Sequence, residues 1–174
     1  MRKQKEQSKY LIIRKLMIAM CILMVLVSLG NGVSYVQARR LSYTTTVGQR
    51  NAIANDWTYV ERGYADYNCL AYALGNTTSW DWPFGSVATK KEAKSYLESK
   101  GYTVKAASAK DNGKSPKIFV YALNGEVTHF AKFMSWAFVR PYQAKWGACE
   151  VFSSYTNNPY TDNLYGQLVY KAYK

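Results

Sequence analysis

The chain has 174 residues, a net charge of +12 and 48% apolar residues, enough for one domain with a buried core. One histidine and three cysteines give no convincing zinc set, and no dinucleotide or phosphate-loop glycine pattern occurs, so neither a metal nor another cofactor is expected. The basic residues lack the aromatic interleaving of a base-stacking platform, which argues against a nucleic-acid partner.

The N-terminus carries Arg2, Lys3, Lys5, Lys9, Arg14 and Lys15 against a single Glu6, followed by fourteen uncharged residues from Leu16 to Leu29. Gly30, Asn31 and Gly32 break that run, and Val36 and Ala38 supply small residues at −3 and −1 of a cut after Ala38. This is the three-part layout of a secretory signal peptide. The run falls short of the roughly 20 residues of a spanning helix, with an uncleaved anchor as the alternative. Cys21 lies within it behind Met20 and reads as a passive apolar residue. The expected organisation is a signal peptide over 1–38, an arm or linker over 39–56, and one domain over 57–174. The expected location is secreted or cell-surface, with membrane contact only through the N-terminal segment. The remainder after Ala38 has 17 Lys and Arg against 10 Asp and Glu, a net +7 that is either a solvated basic face or an attraction to an anionic wall.

Arg39 to Asn55 is polar and without strong periodicity. Trp57, Tyr59, Tyr64 and Tyr67 then crowd the approach to Cys69, either as core or as the walls of a cleft. Asn68 is a good N-cap and Gly75 a good terminator, so a short helix is predicted to start at or near Cys69. A thiol at a helix N-terminus is favoured as thiolate. Asn76 to Gly85 is a loop whose Trp80, Trp82 and Phe84 either line a pocket or pin the loop. Thr89 and Glu92 fit a capping box for a helix to about Lys100, ended by Gly101, with Ala93, Tyr96 and Leu97 inward. Tyr102 to Ala106 suits a strand, and Ser108 to Lys117 a surface loop.

Ile118 to Leu123 reads as a strand, and Asn124-Gly125 as the turn of a hairpin. On the return strand, strict alternation puts Val127, His129, Ala131 and Phe133 on one face, turning His129 toward the side where a Cys69 helix would pack. Trp136 to Val139 is predicted as a further strand, Lys145 to Ala148 as a turn, and Cys149 to Ser153 as sheet. Asn157 to Tyr160 is a second turn, and Leu164 to Tyr173 closes the chain as a strand.

Cys69 and the lone His129 form the minimal pair for thiol catalysis, nucleophile and base. Two other readings stand beside it. Cys69 could pair with Cys149 in a disulfide or be an inert buried thiol, and His129 could be a satisfied core histidine. Three motifs, Tyr67-Asn68-Cys69-Leu70-Ala71-Tyr72-Ala73, Thr128-His129-Phe130-Ala131 and Ala144-Lys145-Trp146-Gly147, occur in an order and spacing that resemble a group of small secreted bacterial papain-like (NlpC/P60-like) proteins of largely unassigned function. The Asn158-Pro159-Tyr160 turn is similar too, and the likeness runs from about Tyr67 to Tyr173. It implies an α+β papain-like fold, a Cys-bearing helix packed on an antiparallel sheet, and thiolate attack on an amide or ester carbonyl. Ala144 stands where the group usually has Ser, and a second His of some relatives is missing. The third catalytic position is therefore open between the Lys145 carbonyl and Glu150. The function expected is an exported cysteine hydrolase, a peptidase or amidase acting on a peptide or peptidoglycan-type substrate. A non-catalytic secreted binding protein and a secreted toxin or effector are the alternatives, and oligomeric state is left open.

Overall fold

The computed structural model describes residues 43–111, 113–161 and 164–174. The expected signal peptide, its cleavage site and Cys21 lie outside the described residues. Among the described residues there are three helices and eight strands: α1 Val47–Ile53, β1 Thr58–Glu61, α2 Cys69–Ala73, β2 Ala88–Thr89, α3 Lys90–Ser99, β3 Thr103–Ala106, β4 Ile118–Leu123, β5 Glu126–Phe133, β6 Tyr142–Lys145, β7 Val151–Ser154 and β8 Gln167–Tyr173. All eight strands belong to one antiparallel sheet, ordered β1-β7-β6-β5-β4-β8-β3, with β2 added to β5.

This overturns the papain-like α+β expectation. The sheet dominates, and the helices are only seven, five and ten residues long. The residue bearing the thiol starts little more than one helical turn, not a helix that forms a layer. The cause is local. Gly75 takes φ +86°, its N–H bonds the Tyr72 carbonyl at 3.0 Å, and the Asn76 N–H bonds the Ala71 carbonyl at 2.8 Å, which closes the helix. The loop that follows cannot restart one before Thr89.

β4 separates two apolar layers by simple alternation. Ile118, Val120 and Ala122 face α2 and α3, with Leu70, Ala93, Leu97 and Phe130. Phe119 and Tyr121 face the other way, with Ala131, Ala144, Trp146, Phe152 and Tyr160. The β4–β5 hairpin turns on Asn124 at φ +50° and Gly125 at φ +91°, the paired left-handed geometry that Asn-Gly favours. α3 is capped reciprocally: the Thr89 Oγ1 accepts from Glu92 N at 3.2 Å, and the Thr89 N–H bonds the Glu92 carboxylate at 2.9 Å.

The stretch before β1 holds α1, with a capping box between Thr46 and Gln49. Its helix buries no residue, so apolar periodicity gave no sign of it. Trp136 to Val139 is not a strand. It lies in the β5–β6 loop, and pairing resumes only at Tyr142, beyond Pro141. In the Asn76 to Gly85 loop, Trp82 and Phe84 pack edge-to-face and join the α-side core, while Trp80 is exposed. Two of the three aromatics therefore pin the loop.

Candidate functional site

Asn68 starts α2 because its side chain does two jobs. The carbonyl accepts from Ala71 N at 2.9 Å, and the amide donates to the Asp81 carbonyl at 2.8 Å. The first bond caps the helix, and the second ties its start to the loop that follows. Every residue from Cys69 to Ala73 is buried. The Tyr72 hydroxyl donates to Gln143 on β6 at 3.0 Å, and the Tyr67 and Tyr72 rings stack, which holds the helix from below.

The position of Cys69 follows from a gap in the sheet. On its outer edge β5 pairs with β2 at Glu126 and Val127, and with β6 at Lys132 and Phe133. Among the described pairings, no strand covers that edge from Thr128 to Ala131, and α2 packs there. The backbone amides of Phe130, Leu70 and Cys69 itself favour its thiolate. Lys145 adds a positive charge nearby. These influences all favour the thiolate, yet burial outweighs them and pushes the thiol up to about 11.

His129 is the residue before Phe130, but its ring does not face α2. A bulge in β5 opposes Tyr121 to His129 and Ala122 to Val127, leaving Thr128 as the extra residue. Alternation is interrupted there, so Val127 joins the α-side core with Phe130, whereas His129 faces the layer of Tyr121 and Tyr160. The expectation that His129 shares the Val127 face is thereby corrected. The extra residue has a use: the Thr128 hydroxyl donates to the Tyr165 carbonyl at 2.7 Å. That bond helps lay the Tyr165 ring flat on His129, centroids 3.8 Å apart.

The ring is held by Tyr160, whose hydroxyl lies 3.0 Å from His129 Nε2. Tyr160 comes from the Asn-Pro-Tyr turn, which the Tyr121 hydroxyl fastens through the Asn157 carbonyl at 2.7 Å. In the tautomer whose Nε2–H donates to Tyr160, Nδ1 carries the lone pair that a base requires; in the other, Nε2 accepts from the Tyr160 hydroxyl. Burial lowers His129 to about 3, so it is a neutral imidazole at ordinary pH. Neither group is open to solvent: Cys69 is 5% and His129 1% exposed.

Of the two residues named for catalysis, Cys69 belongs to the α-side core, whereas His129 packs among Tyr121, Tyr160 and Tyr165. Cys69 and Cys149 are both free thiols, so the disulfide alternative is not what the structure holds. Glu150 does not reach toward His129. Its carboxylate accepts from Thr45 N at 3.0 Å and Thr45 Oγ1 at 3.0 Å, and lies 3.9 Å from Arg50, which clamps the segment before α1. Lys145 was considered through its carbonyl, but its side chain is what enters the site. Buried, it donates to the Cys149 carbonyl at 3.1 Å and to the Gly147 carbonyl, and burial lowers it to about 8. Tyr160 and Tyr165 were not singled out. Only the Asn-Pro-Tyr turn hinted at the first, and nothing local could have signalled the second. Among the described residues no cluster of His, Cys, Asp and Glu could hold a metal ion.

The approach to α2 depends on Gly63. A Cβ there would fall 1.4 Å from the Cys149 carbonyl oxygen, backbone against backbone. Gly63→Ala is therefore expected to destabilise the domain by about 3 kcal/mol or more, because neither chain can yield as a side chain would. An unfolding free energy in urea within about 0.5 kcal/mol of wild type would show that these segments are not in close contact.

The geometry defines a class first: an antiparallel-sheet domain with a buried thiol at a helix start and a buried histidine on the strand that this helix packs against. The family model described as Domain of unknown function (DUF7689) matches residues 59–173, and the chain belongs to that family. Neither the curated proteins nor the solved structures give a match.

Proposed function

We propose that the protein is an exported thiol hydrolase that cleaves amide or ester bonds of peptide-type substrates, with Cys69 as nucleophile and His129 as base. The supporting observation is that Cys69 starts α2, which packs on the stretch of β5 left uncovered by other strands, the stretch that carries His129. Export rests on the pattern of residues 1–38 alone.

In the first step the Cys69 sulfur attacks the carbonyl carbon and its proton passes to His129 Nδ1. The carbonyl electrons move to oxygen and return as the leaving group departs, taking the proton from His129. Water then cleaves the thioester by the same route. The Cys69 amide at the start of α2 is the proposed donor to the developing oxyanion. Tyr160 holds the ring through Nε2, the role of the third group. The resting pair is neutral on both sides, so the thiol is deprotonated as it attacks and not beforehand.

That feature gives a test. Iodoacetamide labelling of Cys69, followed peptide by peptide from pH 5 to 10, is expected to proceed at a nearly constant rate, since His129 accepts the proton while both groups are neutral, between about 3 and about 11. A rate that climbs tenfold per pH unit toward 11 would mean free thiolate alone reacts, and the base role fails. The closed burial of both groups favours a second reading, a non-catalytic binding protein in which the pair is core. The steep profile would assign it.

A further inference from the structure

The loop from Met134 to Pro141 is closed at its base by the Met134 N–H on the Pro141 carbonyl at 2.7 Å, and braced by the Ala137 N–H on the Met134 carbonyl at 3.0 Å. Despite that order its apolar side chains point into solvent: Trp136 is 67%, Phe138 94% and Val139 66% exposed. Single exposed apolar residues are ordinary, but three within four positions on a braced projection are not. Their chemistry is that of an interfacial anchor, an amphipathic indole beside Phe and Val. No acidic residue occurs between Glu126 and Glu150 in the sequence, and the whole chain carries +12. Arg140 brackets the tip, paired with Asp56 and lying 3.6 Å over the Tyr155 ring, which is itself exposed.

We propose that this loop is a membrane-surface contact whose aromatic tip enters the interface of an anionic lipid bilayer. A tip of Trp, Phe and Val gains by leaving water, and a strongly basic chain is drawn to the negative surface that receives it. The contact is distinct from whatever the N-terminal apolar segment does, and it does not depend on the hydrolase reading.

The test uses the full chain with vesicles of phosphatidylglycerol and phosphatidylcholine carrying acyl-chain bromines, which quench tryptophan at close range. Because the N-terminal segment can bind lipid by itself, the readout is the Trp136 share of the emission, obtained by subtracting Trp136→Phe. On phosphatidylglycerol-rich vesicles that share is expected to fall by about half or more. Joint Phe138→Ser and Val139→Ser changes are expected to weaken the tip's affinity about tenfold or more, leaving the thermal midpoint unchanged because both side chains are in solvent. An unquenched Trp136 overturns the proposal, and equal quenching on pure phosphatidylcholine overturns the anionic assignment. Lipid-free dimerisation abolished by the same two changes would overturn it in favour of a second copy of the chain.

Discussion

Exchanging Cys69 for alanine is expected to abolish acyl transfer from an activated ester such as p-nitrophenyl acetate, and His129→Gln to slow it by about 10²–10⁴, the usual worth of a positioned base. The effect is large because the two groups act in one step. Without sulfur there is no bond to form, and without the imidazole the proton of a thiol held near 11 has nowhere to go. The measurement is the burst of p-nitrophenol together with the mass of the peptide bearing Cys69, which should gain one acetyl group. A burst that survives Cys69→Ala, or an acetyl group on Cys149, would end the assignment. Tyr160→Phe separates positioning from packing. It keeps the ring stack but removes the hydroxyl at Nε2, so it should lower turnover while leaving alkylation at high pH intact.

The second large effect is on acid stability. Burial lowers His129 to about 3 in the folded chain, against an ordinary 6.5. The unfolded chain therefore binds the proton first as pH falls. The stabilisation is fully present above pH 6.5 and is lost between 6.5 and 3, at up to ~1.4 kcal/mol per pH unit. By pH 4 the loss is on the order of 3 kcal/mol, a large part of a typical domain's margin. Urea midpoints from pH 7 to 4.5 should fall steeply for wild type and stay nearly flat for His129→Gln, whatever the variant's starting stability. Parallel slopes in the two proteins would show that the imidazole protonates freely in the fold. The thiol acts at the other extreme: raised to about 11, it withdraws stability as pH climbs past 9.

What could be read from the residues was mostly local. The α3 capping box, the Asn-Gly hairpin and the Asn68-to-Gly75 helix needed only neighbours a few positions away, and each stands as read. The facing of His129 was missed because one extra residue, Thr128, shifts the alternation, and threonine is as suited to a regular strand as to a bulge. Trp136 to Val139 looked like a strand because exposed and buried β-formers are the same letters. The papain-like fold was inferred from the order of Cys, His and a Lys-Trp-Gly turn. That order survives, but an eight-stranded sheet carries it. Tyr165 reaches His129 from 36 positions away in the chain, and no local pattern encodes such a meeting.

The gap in β5 has one more consequence. A bare sheet edge is a template on which another chain can add itself, and proteins usually blunt such edges with charge or proline. Here a five-residue helical turn is the stopper, held by the Asn68 cap and the Gly75 terminus. Loosening it would uncover a short, apolar, hydrogen-bond-hungry seam at the middle of the molecule. Self-templated assembly, more than simple unfolding, is the hazard that selection on those two residues would guard against.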